Sequence, residues 1–198
     1  VNRRRIAAAG LLFVTLALGV TGCSDDTRPP ADPPASSEQP TATTSVFGPP
    51  GDTDLIATIH RDNATAIVGT VERRGGSADQ ARAALLAAEA ETGWRSGLAM
   101  APPAVDIRDI FGWRFSYNIG ADSTAAVEAA AETFMNNTAA VSIDADDPVA
   151  YALAVQRADP RGYDESEHFY KSGETAEGEY AAALTRAQDA YAELRPSN

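Results

Sequence analysis

Residues 53–198 of the 198-residue chain predict an α+β domain, an antiparallel sheet of about four or five strands with about three helices on one face. Three observations lead there. Trp113, Phe115, Tyr117 and Ile119 alternate with Arg114, Ser116 and Asn118, which is the period of a half-buried strand. Val149, Tyr151, Leu153 and Val155 alternate in the same way with Ala150, Ala152, Ala154 and Gln156. Three further segments place apolar residues at helical spacing behind Ser or Thr caps.

In chain order, Leu55 to Arg61 and Ala64 to Arg73 are rich in Ile, Val and Thr, with Asp62-Asn63 between them. They read as a hairpin of two strands. The competing reading is a helix, because Leu55, Ile59, Ala66 and Ile67 also fit one helical face over part of this length. Gly75-Gly76 breaks the pattern, and Ser77-Ala78-Asp79-Gln80 resembles a capping box. A helix is expected to follow, with Ala81, Leu85 and Ala88 on one face and Gly93 at its end. Pro102-Pro103 separates it from the strand expected over Ile107 to Ile119. Asp122-Ser123-Thr124 caps a second helix bearing Val127, Ala130, Ala131, Phe134 and Met135, which Asn136-Asn137 closes. Ala140 to Ile143 reads as a short strand, paired through the Asp144-Ala145-Asp146-Asp147-Pro148 turn with the strand of Val149 to Val155. After a polar loop over Asp159 to Gly173, a last helix runs from about Thr175 to Leu194, with Tyr180, Leu184, Ala187, Tyr191 and Leu194 on one stripe.

The chain before residue 53 has a different character. Arg3-Arg4-Arg5 precedes an apolar segment from Ile6 to Val20, too short to span a bilayer comfortably. Beyond Cys23 lie Pro29, Pro30, Pro33, Pro34, Pro40, Pro49 and Pro50 mixed with Ser, Thr and Ala. That composition denies ladder donors and offers too little apolar surface for a core, so residues 23–52 are expected to form an extended, solvated tether.

Formal net charge is −12, and the first 22 residues hold three arginines and no acid, so the remainder stands at −15. Nucleic acid and anionic headgroups both require clustered Lys and Arg, and are disfavoured as partners. The one cysteine cannot form an internal disulfide. The sequence holds no nucleophile elbow, Ser-x-x-Lys pair, phosphate loop or zinc motif.

Weaker candidates remain. Asp144, Asp146 and Asp147 are closely spaced carboxylates that could converge on Ca²⁺, although the glycine and distant glutamate of an EF-hand loop are missing, and an Asp-rich hairpin turn is the ordinary reading. His168 stands among Asp164, Glu165 and Glu167. Trp94, Tyr163, Phe169 and Tyr170 would make a contact patch for sugar or protein if exposed together, and would be structural if they cover the core. His60 lies on the expected first strand.

Val20-Thr21-Gly22-Cys23, behind its charged and apolar segments, is similar to the lipobox of bacterial lipoproteins, with Val20 where Leu is more usual. The resemblance covers residues 1–23 alone. It implies a signal peptide over residues 1–22, removed once the Cys23 sulfur has taken diacylglycerol, and a lipid anchor on the extracytoplasmic face of the cell membrane. Val1, read as a GTG start, and the heavy alanine usage point to a GC-rich actinobacterium. Pro40 to Ser45 is similar to the O-mannosylated linkers of actinobacterial lipoproteins, with an unmodified tether as the alternative.

The resulting expectation is a cell-envelope lipoprotein that binds a protein or envelope ligand without catalysis. A carboxylate-dependent hydrolase would instead require two of Asp144, Asp146, Asp164, Glu165 and Glu167 to converge with His168. A small-molecule or lipid carrier would require an apolar cavity.

Overall fold

The computed structural model describes residues 45–48, 55–99, 106–169 and 173–196. They form a helical bundle with a short irregular insert, and the expected sheet is overturned. Helices α1 (Leu55–Arg73), α2 (Ala78–Thr92), α3 (Thr124–Asn137), α4 (Pro148–Arg157) and α6 (Ala176–Leu194) are joined by the single turn α5 (Glu165–His168). Extended pairing among the described residues is limited to β1 (Leu98–Ala99) against β2 (Ile107–Arg108), antiparallel with Leu98 opposite Arg108, and one bridge from Arg108 to Arg114.

The expected hairpin of residues 55–73 is α1. Asn63, expected in its turn, is buried on the helix and donates from Nδ2 to the Trp94 carbonyl at 2.9 Å. The β-branched residues pack along the buried face, where Ile67, Val68 and Val71 have no exposure, and that burial outweighs a strand preference of a few tenths of a kcal/mol per residue. At the C-terminal end, Gly76 N–H reaches the Val71 carbonyl and Gly75 N–H the Glu72 carbonyl, both at 2.9 Å, with Gly75 at φ +75°. These are the paired bonds of a Schellman ending. The short link turns the chain back at once, so α1 and α2 form a helical hairpin.

Both halves of the expected capping box are present at α2: Ser77 Oγ accepts from Gln80 N–H, and Gln80 Oε1 accepts from Ser77 N–H. Ala81, Leu85 and Ala88 are fully buried, and Gly93 closes the helix at φ +61°. This alanine-rich helix packs against α1, α4 and α6. Its neighbours can approach closely because methyl groups line its faces. Helix α3, capped by Ser123, buries the expected Val127, Ala130, Ala131, Phe134 and Met135 against α1 and α4. The last helix begins at its Thr175 cap and packs on α2 and α4 through Tyr180, Ala183, Ala187 and Ala190.

Two further expected strands are replaced. Thr138–Ala140 is a short 3₁₀ turn, followed by irregular backbone. Val149 to Val155 lies in α4: Asp147 Oδ1 accepts from Ala150 N–H at 3.1 Å, and Pro148 opens the first turn. Asp-Pro is itself a helix-start signal. The apparent alternation used alanine as its polar partner, and alanine is the best helix former. Residues Tyr151, Ala152, Val155 and Gln156 are buried at helical spacing.

The third failure concerns residues 107–119. Asp109 accepts at Oδ1 from the N–H groups of Phe111 and Trp113, at 2.9 and 3.1 Å, and Asp109 N–H donates to the Trp113 carbonyl at 2.8 Å. The chain therefore reverses at Ile110-Phe111 and drives both side chains into the core. Ile119, expected on the buried face, is 43 % exposed. Alternation in sequence needs a partner strand to become a sheet, and here a tight turn consumes the hydrogen bonds first.

Candidate functional site

Where α2 ends, Glu91 is buried beneath residues brought from four other segments. Its Oε1 accepts from the hydroxyls of Tyr163 (2.9 Å) and Tyr180 (2.8 Å), and Oε2 lies 2.6 Å from His168 Nδ1. The side chains of Glu91 and His168 are 1 % and 2 % exposed. Gln156, from α4, places Nε2 at 2.9 Å from the Phe111 carbonyl and 3.5 Å from Glu91 Oε1, while its Oε1 accepts from Trp113 Nε1–H at 2.8 Å. The group thus joins α2, α4, α6, the turn at 109–113 and the loop of residues 163–168.

Local sequence explains how the pieces arrive. Asp164 caps the α5 turn by accepting from Ser166 N–H, which sets His168 facing inward. The His168 ring packs 4.4 Å from that of Tyr163 and 5.2 Å from that of Trp113. Gly112, at φ +79°, supplies the space: a Cβ there would stand 2.7 Å from Glu91 Oε2 and 2.9 Å from His168 Nδ1. Burial, reinforced by the nearby Glu91 carboxylate, raises the pKa of both Tyr163 and Tyr180. Both hydroxyls therefore stay protonated and donate. The space beside Glu91 and His168, lined also by Arg108, Gly112 and Glu167, is about 20 Å³, enough for about one water.

A second polar cluster lies across Trp113. The Arg161 guanidinium covers the Trp113 ring at 4.3 Å and grips Asp159 through two bonds of 2.8 Å. Burial raises Asp159, but the Arg161 and Asn137 bonds outweigh it and hold the carboxyl low. Asp109 is 1 % exposed, with Oδ2 unbonded and 3.9 Å from Arg161 Nη1. Burial raises its pKa to about 6, against the pull of the Phe111 and Trp113 N–H groups and of Arg161.

The sequence candidates fall elsewhere. Asp147 is consumed as the α4 cap, Asp146 borders a surface cleft of about 380 Å³, and Asp144 is exposed. No group of three or more His, Cys, Asp or Glu side chains among the described residues is placed to hold a metal ion. Trp94 is fully buried rather than part of an exposed patch: its Nε1–H donates to the Leu85 carbonyl at 3.0 Å, with Phe47 and Arg186 against its ring. Tyr163 and Phe169 belong to the Glu91 neighbourhood, and Tyr170 lies outside the described residues, as do Val20, Thr21, Gly22 and Cys23. His168 does meet a carboxylate, but it is Glu91 and none of the five acids expected. Glu165 instead accepts from Ala176 N–H near the start of α6. Glu91 sits in an Ala-Glu-Ala-Glu-Thr run that reads as a solvated face, and only its helical register against Leu85 and Ala88 could have placed it inward.

A groove of about 800 Å³ runs between α4 and α6, walled by Ile143, Val149, Leu153, Ala154 and Ala181. No helix among the described residues is long and apolar enough to cross a membrane. Comparison with protein-family models, curated proteins and solved structures finds no match for this chain.

Proposed function

We propose that this chain is a noncatalytic cell-envelope lipoprotein, a helical bundle held by lipid on Cys23 at the outer face of the cytoplasmic membrane, where it binds a protein or envelope ligand. The single observation that carries the reading is the order Arg3-Arg4-Arg5, apolar run, Val20-Thr21-Gly22-Cys23. The buried chemistry supports its noncatalytic half. Each oxygen of Glu91 is engaged by a side chain that also packs the core, and the adjoining space admits a water and no substrate. Such a network ties helices together and fixes their register.

Replacing Cys23 with Ala is expected to move the protein from the membrane fraction to the soluble envelope fraction. Full retention of the Cys23→Ala form in the membrane overturns the anchor. Crosslinking of the anchored protein in intact membranes, with that variant as control, then identifies the partner by mass spectrometry.

A further inference from the structure

The first turn of α1 carries an exposed apolar stripe. Leu55, Ile56 and Ile59 are 70 %, 65 % and 43 % exposed. They continue the same face that Asn63, Ala66, Ile67 and Thr70 bury further along, at helical steps of three, four and seven residues. Ala57, in the same turn, is buried, so the turn lies against the body with its Leu55, Ile56 and Ile59 side outward. Asn63 is hydrogen-bonded to Trp94, just beyond the end of α2, so the two turns of α1 before Asn63 extend past that helix. The ion pairs to α3, from Arg73 to Glu128 and from Arg74 to Glu132, fix α3 beside the opposite end of α1.

The segment Ser45–Phe47 meets the folded body near this turn. Ser45 Oγ donates to Glu193 at 2.7 Å and Val46 N–H at 3.0 Å, while Phe47 is 5 % exposed, with its ring 5.1 Å from that of Trp94. Arg61, less than one turn beyond Ile59, holds the same Glu193 and lies over the Phe47 ring at 5.8 Å. The chain that leads back to Cys23 therefore departs next to the exposed apolar turn. Only residues 24–44 intervene.

We infer that Leu55, Ile56 and Ile59 dip into the bilayer that carries the lipid anchor, forming a second, reversible contact between domain and membrane. This inference rests on the anchored reading of Cys23. A lipid surface fits better than a protein, because three side chains on one turn fall far short of the ~1,000 Å² that a specific protein interface buries. Insertion of a few apolar side chains is weak alone, but covalent attachment to the same membrane through residues 24–44 supplies an effective concentration on the order of millimolar. With the chain beyond the signal at −15, the contact takes its strength from apolar area and needs no anionic headgroup.

The test uses the chain from Cys23 onward, its thiol coupled to a maleimide phospholipid in phosphatidylcholine vesicles, so that it does not depend on lipidation in the cell. Amide hydrogen exchange over residues 55–60 is compared with that of the same chain coupled to soluble polyethylene glycol. Exchange slower on vesicles by about tenfold or more, and restored to the soluble rate by the triple substitution Leu55→Ser, Ile56→Ser, Ile59→Ser, supports the contact. Equal rates on vesicles and polyethylene glycol overturn it, as does protection seen only in whole cell membranes, which would assign the turn to a protein. Failure of the anchor itself is read separately, from the Cys23→Ala fractionation.

Discussion

At the scale of single residues, the fold depends on positions whose importance comes from what they stand against. Gly112 combines a left-handed backbone with the closest approach to the Glu91–His168 pair. Gly112→Ala is expected to lower stability by roughly 2–4 kcal/mol, from backbone strain and overpacking together, as measured by chemical denaturation. Asp109 makes the complementary electrostatic prediction. Its folded form holds a proton up to about pH 6, against an ordinary value of 3.8, so the charged form costs about 3 kcal/mol near neutrality. Between those two values the folded chain binds more protons than the unfolded one, and this residue's contribution to stability rises as pH falls from above 6 toward 4. Asp109→Asn, which cannot ionise, should remove that slope. The stability of the variant minus that of wild type is expected to be larger at pH 7.5 than at pH 4, and a difference independent of pH would refute the assignment.

At the scale of elements, the legibility of each helix follows the locality of its signals. Helices α2, α3 and α6 announce themselves through Ser77, Ser123 and Thr175, whose side chains bond backbone N–H groups within the next three residues. Such bonds need no tertiary partner. Helix α1 resembles a strand pair because Ile, Val and Thr suit either state, and the decision belongs to the neighbours that bury it, whereas α4 carries a local start signal in Asp147 and Pro148 that its alternation with Ala obscures. The segment Ser45–Gly48 is an element of another kind, expected within the tether yet held on the body by Phe47 and Glu193. Phe47→Ala should release it without unfolding the bundle. Limited proteolysis is expected to cut near residues 45–48 at least about tenfold faster, while the global unfolding midpoint shifts little.

At the scale of the whole molecule, α2 contacts α1, α4 and α6, so one helix transmits a loss of packing to the others. Leu85→Ala, at a fully buried position, should cost about 2–5 kcal/mol, and circular dichroism and Trp fluorescence should report a single coincident transition. Separate transitions would show that the helices unfold as independent parts. The same connectivity explains why the polar cluster escaped the sequence. Glu91, Gln156, His168 and Tyr180 are spread over four elements, and nothing in their spacing marks them as partners until the helices pack.

The sequence by itself determined the lipobox resemblance, the acidic balance and the ends of three helices, because each depends on residues within a few positions of one another. Tertiary structure alone decided that residues 55–73 form a helix rather than extend, that residues 109–113 turn inward, and that Glu91 rather than a loop acid meets His168. Those outcomes rest on burial and hydrogen bonds between segments far apart in the chain. Local propensities differ by only a few tenths of a kcal/mol, and burying one aliphatic side chain is worth about 1.5–3 kcal/mol, so packing settles what propensity leaves balanced.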